Sequence, residues 1–207
     1  MSITTTEYVV RTIAETAIEN EKYFGDLDSV VGDGDFGYSL ARGFEKLLEG
    51  WDDLDRTDEG VFLKRTGMVI ASRIGGTSGP LWGTAFMRAG AASSHGDGVV
   101  AMLRAAIEGI KARGQAEVGD KTLLDALVPF TDRLSQALDE GAPAEEAIRA
   151  AAATAREAAD ATSGMVAKRG RAAYTGERSR GSVDAGATAL AVIAERISET
   201  WKQGATS

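Results

Sequence analysis

The chain has no cysteine and a single histidine, His95, among its 207 residues. These absences exclude disulfides, thiolate zinc sites, a cysteine nucleophile and any histidine-rich metal centre built within the chain. With only 3 prolines and 6% aromatic residues, little interrupts a composition rich in alanine, and helix is favoured throughout. No apolar run approaches the ~18 residues of a membrane span, and the opening MSITTTEYVVRTIAE has no basic region followed by an apolar stretch. A cytoplasmic protein without a membrane segment is therefore expected. Positive charge is also scarce: 23 Lys and Arg face 31 Asp and Glu, a net charge of −8. That balance argues against binding to a nucleic-acid backbone or an anionic membrane, both of which require a cationic face. At this length and 43% apolar content, the expectation is one domain over residues 1–207 with a real core.

What is present is helical periodicity. Thr4-x-x-Glu7 reads as a capping box for a first helix that carries Val9, Ile13, Ala17 and Ile18 and ends near Tyr23. A second helix spans about Gly37 to Leu48. A third, with Leu63, Gly67, Ile70 and Ile74, halts at Gly75-Gly76, and Ser78 caps a fourth with Pro80 in its first turn. A fifth opens at Asp97 and stops at Gly114, and a sixth opens at Thr122-x-x-Asp125 and closes at Gly141. The seventh runs from Pro143 to about Lys168, and the eighth starts at Asp184. No alternating segment is long enough for a strand. Eight helices with short connections suggest an all-α antiparallel bundle or closed barrel.

Within VVGDGDFG, Gly32-x-Gly34-x-x-Gly37 matches a dinucleotide fingerprint formally. However, Val30-Val31 is too short for the first strand of a βαβ unit, and Asp33 and Asp35 would repel a pyrophosphate. The carboxylates suggest a cation instead. Two carboxylates ~4 Å apart repel by about 4 kcal/mol at an effective dielectric near 20, so Asp28, Asp33 and Asp35 converge only around a counter-charge. Oxygen-only ligands select a hard ion such as Mg2+ or Ca2+. An EF-hand is excluded, because counting from Asp33 puts Tyr38 at the required glycine and Phe44 at the required glutamate. The plainer alternative makes Asp35 a helix cap and the other two solvated acids. The alternating glycines weigh against it by suggesting a backbone close to a ligand.

Two further stretches suit phosphate. GGTSGP (75–80) leads backbone N–H groups into a helix N-terminus, with Thr77 and Ser78 as hydroxyl donors. KRGRAAYTGERSRGSVDAGA (168–187) concentrates Lys168, Arg169, Arg171, Arg178 and Arg180 in an otherwise acidic chain. Each alone can be an ordinary turn or solvated loop. There is no Walker A loop, and Gly119-Asp120-Lys121-Thr122 spoils the nearest match. His95, in SSHGDG, reads as an exposed loop residue. An acid loop, a phosphate-sized turn and a basic loop together describe a site for a magnesium nucleotide.

In their order along the chain, LDSVVGDGDFG, ARGFEKL, GGTSGPLWGT, GQAEVGDKT, GRAAYTGERS and DAGAT resemble the nucleotide-binding L subunit of bacterial dihydroxyacetone kinases. The resemblance spans nearly the whole chain and implies an eight-helix antiparallel barrel with the nucleotide at one end. By the same resemblance Asp28, Asp33 and Asp35 hold two Mg2+ ions on the phosphates of ADP or ATP, and Thr77 and Ser78 bind phosphate. Phe36, Gly37, Ser39, Gly114, Leu123, Arg171 and the Asp184-Ala185-Gly186 turn line the nucleotide. The ketose is implied to sit on a separate K subunit, so no kinase activity is expected from this chain alone. A phosphotransferase-system M subunit and a homodimer are further partners that the resemblance allows. Phe36 stands where histidine is common, Ser39 where asparagine is frequent, and Ser182 and Ala185 where histidine and proline are usual. These departures leave the metal ligands intact and open the substrate to another short ketose such as erythrulose.

Overall fold

Helix formation begins at once, because the Ser2 hydroxyl accepts the Thr5 N–H at 3.2 Å. Thr4 thus lies inside the first helix, and the cap sits two residues earlier than the capping-box reading placed it. The computed structural model describes residues 2–76 and 78–204, and no strand occurs among them. In chain order the helices are α1 (Ile3–Glu19), α2 (Glu21–Ser29), α3 (Asp35–Glu49), α4 (Glu59–Arg73), α5 (Ser78–Ser94), α6 (Val99–Gly114), α7 (Leu124–Asp139), α8 (Ala144–Ala161) and α9 (Ala185–Gly204). Three 3-10 turns, Trp51–Asp53, Thr162–Gly164 and Arg171–Ser179, complete the described elements.

The all-α expectation holds, with two differences in the elements. The chain breaks at Asn20, so α2 is a separate helix and Asp28 is helical rather than a loop residue. The seventh expected helix stops at Ala161, not near Lys168. There the Thr162 hydroxyl donates to the Ala159 carbonyl at 2.5 Å and accepts the Asp184 N–H at 2.8 Å, which turns the chain out of helix.

The residues form two compact units. One is built from the chain up to Glu19 and from Ser39–Gln115; the other comprises Asn20–Tyr38 and Ala116–Lys202. In the first, α4 packs on α5 and α5 on α6. The α4–α5 approach depends on glycine: a Cβ at Gly67 would stand 2.7 Å from the Gly83 carbonyl oxygen, and one at Gly90 2.7 Å from that of Gly60. Around this contact Leu40, Phe44, Phe62 and Ile70 are fully buried. Trp51 meets Phe62 edge-on at 5.6 Å, with the Arg11 guanidinium 4.5 Å from its ring centre.

In the second unit α7 packs on α8. Its core is a layer of fully buried alanines, Ala126, Ala155, Ala159, Ala187 and Ala191, against which Phe130 and Leu190 pack. Small side chains let helix axes approach closely, and this puts the alanine-rich pattern of α8 to use. A bidentate pair ties α8 to α9, with Arg156 Nε 2.8 Å from Glu195 Oε1 and Nη2 2.6 Å from Oε2.

Candidate metal centre

The second unit gathers the three acids at the join of two helices. Asp28 lies in the last turn of α2, Asp33 in the connecting turn, and Asp35 is the first residue of α3. One carboxylate oxygen of each lies within 4.8 Å of the others. Asp28 is half-buried, and Asp33 and Asp35 are exposed.

Local structure explains how like charges come so close. The Asp28 carboxylate accepts the Gly34 N–H at 2.9 Å and also that of Phe36. These are free amides near the start of α3, where the helix dipole favours negative charge. The Arg171 guanidinium supplies the counter-charge, pairing with Asp33 and standing 2.9 Å from Asp35 Oδ1. Burial raises the Asp28 carboxyl above its ordinary value, against the N–H groups of Phe36 and Gly34 and with help from the charges of Asp33 and Asp35. At Asp33 desolvation also pushes upward, but the Asp35 N–H and Arg171 outweigh it and hold the carboxyl low. Arg171 in turn is held more firmly protonated, first by its hydrogen bond to Asp35.

Within the protein the glycines make room for close approaches. A Cβ at Gly32 would fall 2.4 Å from Asp28 Oδ1, so this glycine leaves room for the carboxylate. Gly37 is buried, and a Cβ there would lie 2.0 Å from the Glu21 carbonyl oxygen and 2.5 Å from the Gly25 nitrogen. It lets α2 and α3 cross. Gly34 takes φ +76°, open to glycine at no steric cost. Phe36 is half-buried, with its ring 6.3 Å from that of Phe24.

A second cluster in this unit forms around the start of α9. Asp184 caps that helix, its carboxylate accepting the Ala187 N–H at 2.7 Å. Ala185 is the first helical residue, and a Cβ at Gly186 would meet Leu123 Cβ at 3.3 Å, so Leu123 and the Asp184–Gly186 turn lie together. Lys121, beside them, is 2% exposed, and its sequence context marked it only as part of a failed phosphate-loop match. A lysine in a polar stretch reads as solvated, and no sequence signal marked it otherwise.

The remaining expected residues belong to the first unit, except Thr77, which lies outside the described residues. Ser39 lies near Gly75, where a Cβ would be 3.6 Å from its hydroxyl oxygen. Ser78 is the first residue of α5 and Gly114 the last of α6. Gln115, not the glycine, takes the left-handed conformation after α6, at φ 48°.

Fold and site together define a class. This is an all-helical protein whose three-acid cluster offers only hard oxygen ligands, set at a helix N-terminus beside an arginine that can pair with phosphate. The donor set fits Mg2+ in type and convergence. A family model described as the DAK2 domain matches residues 30–199. The ADP-binding subunit DhaL of the PEP-dependent dihydroxyacetone kinase of Escherichia coli K12 is 38% identical over 187 residues, 88% of this chain and 89% of that subunit. The L-erythrulose 1-kinase of Mycolicibacterium smegmatis is 38% identical over 198 residues, 92% of this chain but 34% of that enzyme. The crystal structure of the dihydroxyacetone kinase of C. freundii in complex with AMP-PNP and Mg2+ superimposes with a TM-score of 0.78 at 26% identity, over 94% of this chain and 33% of that one. The chain belongs to the DAK2 domain family. It spans nearly the length of the free-standing E. coli subunit and about a third of the single-chain kinases. No helix among the described residues is long and apolar enough to cross a membrane.

Proposed function

We propose that this chain is the nucleotide-binding subunit of a short-chain ketose kinase, holding ADP or ATP with Mg2+ so that a phosphoryl group passes to a ketose held on a separate K subunit. The observation that carries this reading is the convergence of Asp28, Asp33 and Asp35 within 4.8 Å beside Arg171. In it, the three carboxylates hold two Mg2+ ions. Bound metal supplies charge neutralisation and alignment of the phosphates, which phosphoryl transfer needs more than covalent help from the protein. The amides of Gly34 and Phe36 keep the Asp28 carboxylate aimed into the cluster before metal arrives. With Asp33 and Asp35 engaged as metal ligands, the Arg171 guanidinium fork would be free to pair with a phosphate. Thr77 and Ser78 bind phosphate, while Ser39, Gly114, Leu123 and the Asp184-Ala185-Gly186 turn line the nucleotide together with Phe36 and Gly37.

The subunit works in the cytoplasm with its K subunit. The PTS-dependent relative of Lactococcus lactis, an ADP-binding subunit, supports an M subunit of the phosphotransferase system as the source of the phosphoryl group, with ADP as resident cofactor. A second substrate, erythrulose, is favoured by one observation: the L-erythrulose 1-kinase is as identical to this chain as the E. coli subunit is.

Calorimetric titration of the purified chain with ADP tests the reading. Binding is expected with Mg2+, to weaken up to ~100-fold in Asp33→Asn as a coordinating charge is lost, and to leave the helical signal of that variant unchanged. ADP binding that ignores both Mg2+ and the substitution would overturn the proposal, as would turnover of dihydroxyacetone and ATP by the chain alone.

A further inference from the structure

Lys121 stands apart from the other cations of the second unit. Lys168, Arg169, Arg171 and Arg180 are exposed, whereas Lys121 is 2% exposed. A buried ammonium has three N–H donors to satisfy, and here each meets a backbone carbonyl: Met165 at 3.3 Å, Ser182 at 2.7 Å, and Ser179. The three carbonyls flank one stretch of chain. Met165 precedes the segment that carries Arg171, while Ser179 and Ser182 follow it.

The ends of that segment also meet directly, the Ser179 hydroxyl accepting the Ala167 N–H at 2.9 Å and the Gly181 N–H reaching the Ser163 carbonyl at 2.8 Å, but its middle is open. Arg171 is exposed and Tyr174 is 92% exposed. Gly170 and Gly176, at φ +65° and +56°, have open space where a side chain would project. By contrast, the turn carrying Lys121 is braced. Asp125 accepts the N–H groups of Gly119 and of Thr122, the latter at 2.7 Å, and Asp120 accepts that of Glu117 at 3.0 Å. Lys121 itself adopts φ +62°, a left-handed backbone that costs a non-glycine residue free energy and persists only where its surroundings impose it. Outer contacts follow the same line, with Lys168 Nζ on the Gly119 carbonyl at 2.9 Å and the Lys168 N–H on that of Asp120 at 3.0 Å.

We infer that Lys121 is a positioning residue for nucleotide binding: its buried ammonium closes both ends of the 165–182 segment and so sets Arg171 over the three-carboxylate cluster. The inference rests on the proposed function, in which that cluster and Arg171 hold the metal nucleotide. Lys121 touches neither; it acts through Arg171.

A double-mutant cycle on Mg-ADP affinity tests it, with Lys121→Met, Arg171→Ala and the double variant titrated by calorimetry. If Lys121 acts through Arg171, each single variant loses ~10-fold in affinity, the scale of one charge-assisted hydrogen bond, and the double variant loses no more than either. Lys121→Arg, which keeps the donors, is expected to recover most of the loss. Independent losses that multiply in the double variant, or Lys121→Met with wild-type affinity, would overturn the inference. Should Lys121→Met lose its helical signal, Lys121→Gln retains an amide donor and takes its place in the cycle, with the same outcomes deciding. Loss of fold in both would also overturn it, because Lys121 would then support the whole unit and not one segment. If the wild-type chain binds no Mg-ADP, the functional reading falls separately. Amide exchange still tests the hold on the segment, with faster exchange expected in 165–182 of Lys121→Met and unchanged exchange in 124–139.

Discussion

The setting of Asp184 raises its carboxyl well above the ordinary value. Desolvation raises its carboxyl from the ordinary 3.8 to about 6, against the N–H groups of Ala187 and Gly186 and the ammonium of Lys121, with Asp125 adding repulsion. Because the folded-state value is the higher one, the folded chain takes up this proton first. Asp184 therefore favours folding most below about pH 4, and its contribution falls as pH rises through about 6. Asparagine caps a helix as well as aspartate does and carries no charge. Asp184→Asn is thus expected to gain thermal stability over the wild type as pH is raised from 4 to 7, with the difference flat above that range, as followed by circular dichroism. A difference independent of pH would show that the carboxylate is not desolvated. At this scale the acids were legible, because Asp28, Asp33 and Asp35 within eight residues signal a shared counter-charge whatever their exact conformation. Lys121 was not, because its burial depends on three carbonyls 44 to 61 residues further along the chain.

Among elements, the α4–α5 pair depends on what its glycines leave out. Gly67→Ala gains about 1 kcal/mol of helix propensity in an exposed helix, but here the new methyl would stand 2.7 Å from the Gly83 carbonyl oxygen. The obstacle is backbone, so the helices must separate, and overpacking of this kind costs typically ~1–3 kcal/mol. The expected net result is a lower melting temperature, and a gain would mean that α4 and α5 are not in close contact. Helix positions followed from apolar spacing, which is a property of short windows. Two helix ends did not. The break at Asn20 carries neither glycine nor proline, and α8 ends where Thr162 bonds to the Asp184 N–H, a partner 22 residues away. Thr162, Ser163 and Gly164 follow as weaker helix formers, but the bond that turns the chain there is a long-range one.

For the whole molecule, composition carried the broad exclusions, and the order of six motifs carried the family. The family match runs over residues 30–199, through both compact units, and the chain passes between those units at 19/20, 38/39, 115/116 and 202/203. Neither unit is one continuous piece of chain. Trp51 and Trp82 belong to the first unit and Trp201 to the second. In a Trp201→Phe variant, fluorescence reports the first unit while far-ultraviolet circular dichroism reports every helix, and the two denaturation curves are expected to coincide. Separate midpoints would make the units independent folding domains.

By itself the sequence determined the helical class, the hard-cation character of the acid cluster and the candidate phosphate-facing stretches, because periodicity, ligand chemistry and local charge are written in neighbouring residues. Only the tertiary structure decided that Arg171 supplies the counter-charge to Asp33 and Asp35, that Gly32 and Gly37 make room for a carboxylate and a helix crossing, and that Lys121 is buried. Each of these is a meeting of groups that are close in space, and such meetings depend on how the helices pack and not on any local stretch of sequence.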